Sequence, residues 1–264
     1  MFCRGLISAW IAHCFATALI LLGGHARADE PVVAAASDLK FALEDVAQAF
    51  TLKTGHVVRL TFGSSGTFAT QIRNGAPFEL YLSADEDHVL KLHAEGLTRD
   101  RGALYAIGRI VLIVPPDSTL PLDGELDGLA AWLAAGRIKR FAIANPEHAP
   151  YGQRAEEALR HAGLWDAIKP RLVLGENVSQ AAQFAISGSA DGGIIALSLA
   201  ISPQMIPLGR HALIPADWHA PLRQRMVLLR QAGATAQHFY AYLQTADARV
   251  IMRRYGFVLA DENG

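Results

Sequence analysis

The chain has 264 residues, a formal net charge of −1 and 51% hydrophobic residues. A nearly balanced charge gives no basic face of the kind that nucleic-acid binding needs, so no nucleic-acid partner is expected. The two cysteines, Cys3 and Cys14, both lie near the start of the chain. Cysteine chemistry in the rest of the protein is therefore excluded.

The first 28 residues read as a cleaved signal peptide. Arg4 precedes a long apolar run, and Ala26-Arg27-Ala28 has the small-x-small pattern of a cleavage site. Cleavage would leave 236 residues beginning at Asp29, with a net charge of about −3 and no thiol. No later apolar run reaches the roughly 18 residues that span a bilayer. We therefore predict export and a soluble mature chain.

Short apolar runs alternate with segments of helical period along the mature chain, which favours an α/β fold over a sandwich or a helix bundle. The first half predicts strands in PVVAAAS, HVVRLTF and FELYLS, each followed by a helix. The helix after the first strand should end at Gly55, because glycine favours helix C-termini. The run YAIGRIVLIVPP is predicted as a long β-rich segment stopped by Pro115 and Pro116.

A second α/β set follows this segment. Its predicted strands are RFAIAN, RLVLG and GGIIAL, and the chain ends with the strand RQRMVLLR and further helices. Two sets joined by long strands without a flexible linker predict two lobes on a hinge. We place lobe 1 at residues 29–110 and 228–264 and lobe 2 at residues 111–227, with crossings near Ile110 and Leu228.

Four predicted strand-to-helix junctions have the same feature, a helix N-terminus with exposed N–H donors. They are AAASDL, FGSSGTF, NPEHAPYG and GENVSQ. Ligands of open α/β sheets bind outside the carboxyl ends of the strands, where such junctions lie. A helix N-terminus carries partial positive charge and N–H groups without intrahelical acceptors, so it attracts anions. The junctions contain no lysine or arginine, so any anion there would be held by neutral donors.

A site made of donors alone favours a fully deprotonated anion. Several charge-assisted hydrogen bonds of about 1.5–3 kcal/mol each can give sub-micromolar affinity after the costs of association. A protonated oxyanion would leave its own donor without an acceptor in such a site. A tetrahedral dianion is therefore the expected ligand.

These residues together resemble the periplasmic molybdate-binding proteins that feed ABC importers. The resemblance runs through almost the whole mature chain, including AAASDLKFALEDVAQAF, GSSGTFATQIRNGAPFELYLSADE, GENVSQAAQFAISGSADGGIIAL and the terminal RRYGF. It implies a two-lobed type II periplasmic-binding-protein fold, each lobe a mixed sheet flanked by helices, joined by a two-strand hinge. It also implies a periplasmic monomer that binds molybdate or tungstate, needs no cofactor and delivers its ligand to a membrane permease.

The resemblance implies a ligand site at Ser37, Asp38, Ser65, Tyr151 and Val178. Molybdenum would be present only as its oxyanion, through hydrogen bonds to oxygen atoms. Asp38 departs from the family pattern, which has small, apolar or amide residues at this position. A carboxylate within about 4 Å of a dianion would be repelled by several kcal/mol. We interpret the Asp38 side chain as a cap of the following helix. A role limited to the backbone N–H of Asp38, or a different ligand, stays open.

The same residues also allow other interpretations. Serines before helices are commonly plain N-caps, and His148 could simply order its loop. Catalysis is not expected, because GSSG is not a nucleophile elbow and no HExxH motif or phosphate-binding loop occurs. The alternative functions are a receptor for another tetrahedral oxyanion such as sulfate, or a ligand-sensing module.

Overall fold

The computed structural model describes residues 30–259, so the predicted signal peptide at residues 1–28 lies outside the described residues. Within that range the chain forms ten strands: β1 Val32–Ala36, β2 Arg59–Gly63, β3 Leu80–Ser83, β4 Ala103–Gly108, β5 Ile110–Val114, β6 Phe141–Ala144, β7 Leu172–Gly175, β8 Gly193–Ala196, β9 Arg210–Leu213 and β10 Leu222–Leu228.

Ten α-helices separate or follow these strands in the described range: α1 Lys40–Thr54, α2 Ser65–Arg73, α3 Asp87–Ala94, α4 Asp127–Ala134, α5 Pro150–His161, α6 Trp165–Ile168, α7 Val178–Ile186, α8 Leu197–Ala200, α9 Ala234–Tyr242 and α10 Ala246–Arg254. A 3-10 turn, Ser37–Leu39, connects β1 to α1. Gly55 ends α1 with a positive φ of 75°, as the sequence predicts.

The strands form two five-stranded mixed sheets. Lobe 1 has the order β2-β1-β3-β10-β4, and lobe 2 has the order β7-β6-β8-β5-β9. In each lobe the first three strands in that order are parallel, and the fourth runs antiparallel to its neighbours. The two-lobed α/β architecture expected from the sequence is confirmed.

Each sheet is covered by helices on an apolar core. In lobe 1, α1 buries Leu43, Val46 and Phe50 against the sheet, α9 and α10, and the turn before it buries Leu39, all at 0–1% exposure. In lobe 2, the fully apolar strand β5 is buried along its whole length. Burial of such side chains contributes about 1.5–3 kcal/mol each, which holds each lobe together as its own unit.

The chain crosses between the sheets at two places. The predicted long segment YAIGRIVLIVPP is two strands, β4 in lobe 1 and β5 in lobe 2, divided at Arg109. The sequence placed the second crossing near Leu228, but β10 already pairs with β3 and β4 from Leu222 onwards. The second crossing therefore lies between Leu213 and Leu222, and β10 belongs to lobe 1. Of the helices described, none has the length and apolar character to cross a membrane.

Gly102 tests how closely β10 packs on the segment before β4, and Gly136 is its matched control. Both have positive φ, 65° and 66°. A Cβ at Gly102 would lie 2.0 Å from the carbonyl oxygen of Met226 in β10, whereas nothing lies within 4 Å of one at Gly136. Gly136→Ala should cost about 1–2 kcal/mol of backbone strain. Gly102→Ala should cost about 1–3 kcal/mol more, because it also pushes β4 from β10.

Thermal unfolding of the two variants beside the wild type measures this difference. Gly102→Ala should have the lower melting temperature. Equal melting temperatures would mean that the close approach at Gly102 is relieved without loss of packing.

Candidate functional site

The strand order places four helix beginnings at one cleft. In lobe 1, β1 lies between β2 and β3, and in lobe 2, β6 lies between β7 and β8. Each is a topological switch point, where α/β sheets bind their ligands. The register aligns Ala36 with Gly63 and Ala144 with Gly175, so neighbouring strands end at the same level. The four predicted junctions therefore face one another across the two lobes.

All five residues expected from the sequence line one cavity: Ser37, Asp38, Ser65, Tyr151 and Val178. The cavity is very small, because the centre of a water-sized sphere can occupy only about 10 Å³ of it. Organic ligands usually occupy pockets of about 300–1,000 Å³, so this space suits a small ion. Among its lining residues in the described part of the chain there is no lysine or arginine.

Ser65 is a completely buried serine at the start of α2. Its Oγ accepts a hydrogen bond of 2.9 Å from the backbone N–H of Ala84. Because Oγ is already an acceptor in that bond, the hydroxyl hydrogen is left to point elsewhere. Its carbonyl accepts a 2.8 Å hydrogen bond from the Tyr81 hydroxyl, which fixes the backbone. Ser65 is thereby prepared as a donor toward the cavity.

Ser37 has the same arrangement, but its partner comes from lobe 2. The backbone N–H of Ser179 donates to Ser37 Oγ at 3.2 Å, and the Ser179 hydroxyl donates to the Ser37 carbonyl at 2.8 Å. The hydroxyl hydrogen of Ser37 is again left free to donate. Contact between the lobes therefore orients this second serine.

Val178 contributes a backbone donor at the start of α7. The side chain of Asn177 caps the helix by accepting from the N–H groups of Ser179 and Gln180, both at 3.1 Å. The N–H of Val178 is the first of the helix, so no carbonyl within the helix can accept from it. The start of α2 has the same pattern, because Ser64 Oγ accepts from Thr67 and the His148 carbonyl accepts from Gly66.

Asp38 lies in the same cavity with its carboxylate buried. Oδ2 accepts hydrogen bonds from the Tyr151 hydroxyl at 3.0 Å and from Gln224 Nε2 at 2.7 Å, whereas the buried Oδ1 has no partner. Neither the 3-10 turn nor α1 has a side-chain cap. The interpretation of Asp38 as a helix cap is therefore wrong. The expectation that the site holds no acceptor is also wrong, because this carboxylate lines it.

Burial has the largest effect on the pKa of the Asp38 carboxylate. It raises the pKa of Asp38 to about 6, against the hydrogen bonds from Gln224 and Tyr151 and the proximity of the backbone N–H groups of Asp38 and Leu39, which lower it. Burial also raises the pKa of Tyr151 well above its usual range, so Tyr151 stays protonated and donates to Asp38. Gly108 packs against this tyrosine, since a Cβ there would lie 2.3 Å from its hydroxyl oxygen.

The lobes touch around the cavity through direct hydrogen bonds. His148 Nδ1 lies 2.8 Å from Ser64 Oγ, the His148 carbonyl accepts from Gly66 N–H at 2.9 Å, and Thr67 Oγ1 donates to Glu176 at 3.2 Å. On the opposite wall, Ser198 Oγ donates to the Asp38 carbonyl at 2.8 Å. His148 therefore bridges the lobes, beyond the role within its own loop that the sequence suggested.

Gln224 is a central residue that the sequence analysis missed. Its amide oxygen accepts from the Tyr105 hydroxyl at 2.8 Å, and its Nε2 donates to both Asp38 and Tyr151. A signal existed, because Leu222, Gln224 and Met226 alternate onto the buried face of β10. The register of β10 shifts after Gln224, and such bulges commonly aim a side chain beside a site.

No group of three or more His, Cys, Asp or Glu side chains among residues 30–259 is placed to hold a metal ion directly.

Comparison with known proteins agrees with this geometry. Residues 31–258 match the family described as bacterial extracellular solute-binding protein. The chain is a member of that family. This solute-binding protein is 36% identical over 249 residues to the molybdate-binding protein ModA of Rhodobacter capsulatus, covering 92% of this chain and 95% of the relative. The resemblance to periplasmic molybdate-binding proteins is confirmed.

Solved structures support the same placement. This solute-binding protein superposes on the periplasmic molybdate-binding protein of Azotobacter vinelandii with a TM-score of 0.78 and 34% identity, covering 87% of this chain and 99% of the other. The sulfate-binding protein SubI of Mycobacterium tuberculosis has a TM-score of 0.73 at 15% identity, covering 89% and 88% of the two chains. At that identity the second likeness shows the fold alone.

Gly66 tests the contact between the lobes. A Cβ at this position would lie 2.7 Å from the carbonyl oxygen of His148. Alanine favours a helix over glycine by about 1 kcal/mol, so Gly66→Ala should leave lobe 1 as stable as before while it holds the lobes apart. With molybdate added, small-angle X-ray scattering should show a compact wild type and a larger radius of gyration for Gly66→Ala.

Gln71→Ala, an exposed change on the same helix, is the control and should behave like the wild type. If Gly66→Ala reaches the wild-type compactness, the close approach at Gly66 does not limit how the lobes meet.

Proposed function

We propose that this protein binds molybdate, with tungstate as a near-equal ligand, in the periplasm and delivers it to the membrane permease of an ABC importer. The observation that carries the proposal is the pair of serine hydroxyls, Ser37 and Ser65. Each accepts from a backbone N–H, so each is left as a donor toward a cavity of ionic size. The molybdate-binding relatives supply the identity of the anion.

The remaining donors fit an oxyanion held without a cation. The first N–H groups of α2 and α7, at Ser65 and Val178, lie at helix N-termini, where partial positive charge favours anions. Hydrogen bonds to a charged oxygen contribute about 1.5–3 kcal/mol each, so four such donors contribute about 6–12 kcal/mol, a range that includes the roughly 8 kcal/mol of micromolar binding. Tyr151 supports the site through Asp38, since its hydroxyl hydrogen is directed there.

A receptor for sulfate is the alternative within the same fold. Sulfate has the charge of molybdate but shorter bonds, so donors placed for the larger anion would be left too distant from it. Each lost hydrogen bond costs about 1–3 kcal/mol, which is about tenfold or more in affinity. Discrimination between the two anions would therefore come from the size of the cavity.

Isothermal titration with molybdate, tungstate and sulfate separates these ligands. We expect sub-micromolar dissociation constants for molybdate and tungstate and an affinity for sulfate at least tenfold weaker. Equal affinity for sulfate would overturn the molybdate assignment. A ligand-sensing module of the same fold would bind the anion too, but molybdate uptake by cells would not then depend on this protein.

Ser65→Ala tests the principal donor. It should weaken molybdate binding at least tenfold, because a hydrogen bond to a dianion is lost. The change also leaves the Ala84 N–H without its acceptor, so a modest loss of stability is expected.

Ser202→Ala is the matched control. Ser202 is a completely buried serine whose hydroxyl donates to the Leu199 carbonyl, and it does not line the cavity. This variant should keep wild-type affinity at a similar cost in stability. Unchanged molybdate affinity in Ser65→Ala would remove Ser65 from the site.

A further inference from the structure

The carboxylate of Asp38 is the one feature of the cavity that does not suit a dianion. Ser37, Ser65 and Val178 present donors, whereas ionised Asp38 presents only acceptors. Oδ2 is occupied by Tyr151 and Gln224, and Oδ1 is buried without a hydrogen-bond partner. Asp38 lines the cavity, so this oxygen without a partner belongs to a residue of the candidate site.

Two ionised oxygens cannot meet there without a hydrogen between them. An anion oxygen and Oδ1 would both be acceptors, and their charges would repel strongly in a site shielded from water. One proton between the two oxygens turns this repulsion into a hydrogen bond.

Among the described residues, no side chain that hydrogen-bonds to the Asp38 carboxylate carries a positive charge that could compensate it. Tyr151 faces it from α5, Gln224 from β10, and Tyr105 of β4 acts through Gln224. Burial raises the pKa values of both tyrosines, so both are neutral. No lysine, arginine or histidine is among the groups that perturb Asp38 in the described part of the chain.

We propose that molybdate binding is coupled to protonation of Asp38, so that the complex holds one proton between Asp38 Oδ1 and an oxygen of the anion. This inference rests on the proposed function. The proton comes from solvent and forms an O–H bond at Oδ1, and no other bond changes. Asp38 then acts as a neutral carboxylic acid that donates to the ligand, and it determines how affinity depends on pH.

The direction of that dependence follows from linkage. The empty protein has Asp38 ionised above its pKa of about 6. Above that pH each binding event must take up one proton, so the affinity should fall about tenfold for each further pH unit. Below that pH the carboxyl is already protonated and the affinity should level off.

Asp38→Asn is the decisive variant. Tyr151 and Gln224 both donate to the position of Oδ2, so the amide oxygen should take that place. The amide nitrogen then lies at the position of Oδ1 and donates to the anion without any proton uptake. The variant therefore imitates the protonated form at every pH.

Isothermal titration with molybdate from pH 6 to 8.5, a range in which molybdate stays a dianion, provides the test. Repeating each titration in buffers of different ionisation enthalpy counts the protons taken up. We expect the wild type to take up close to one proton at pH 8 and Asp38→Asn to take up none. Asp38→Asn should have flat affinity and bind at least tenfold more tightly than the wild type at pH 8.

Asp166→Asn, which changes an exposed aspartate on α6, is the matched control and should keep the wild-type slope. Affinity of the wild type that does not change with pH, without proton uptake, would overturn the inference while the proposed function stands. A pH slope that persists in Asp38→Asn would overturn it as well. Failure of the wild type to bind molybdate at any pH would overturn the proposed function and the inference together.

Discussion

Hydrogen bonds accepted by side-chain oxygens determine what this cavity presents to a ligand. When a hydroxyl oxygen accepts from a backbone N–H, its own hydrogen must find another acceptor, and in a closed cavity that acceptor is the ligand. Ser65 and Ser37 are both in this state, through Ala84 and Ser179. The first N–H groups of α2 and α7 add donors whose direction is set by the helices. Neutral groups thus create a positive environment at these helix beginnings without a lysine or arginine side chain in the described lining of the cavity.

The strand order of the two lobes makes this arrangement possible. Each lobe repeats the same order, with the first of its three parallel strands lying between the other two, β2-β1-β3 and β7-β6-β8. The strands that flank each switch point end at one level, so the helices that follow begin at one level too. Two such edges facing each other bring four helix beginnings to a space of ionic size. The site is a product of topology as much as of residue type.

Much of this could be predicted from the sequence because it depends on local patterns. Periodicity located the strands except β9, with β4 and β5 predicted as one run. Gly55 ended α1, and the serines after β1 and β2 indicated donors at a sheet edge. Contacts between distant segments could not be predicted in the same way. Gln224 meets Asp38 across 186 positions of sequence, and Ser198 meets it across 160. The limit of lobe 1 also depended on which strands β10 pairs with, and an apolar strand pattern does not specify its neighbours.

The two serines differ in a way that bears on the order of events during capture. Ser65 is held by Ala84 of its own lobe, so it is organised before the lobes meet. Ser37 receives its orienting bond from Ser179 of the other lobe, so only contact between the lobes organises it. An arriving anion would therefore dock first on a rigid half-site and gain its second hydroxyl as the cleft shuts. Closure of the lobes and high-affinity binding would then occur together. A permease could therefore recognise the ligand-bound protein by the shape of its closed form.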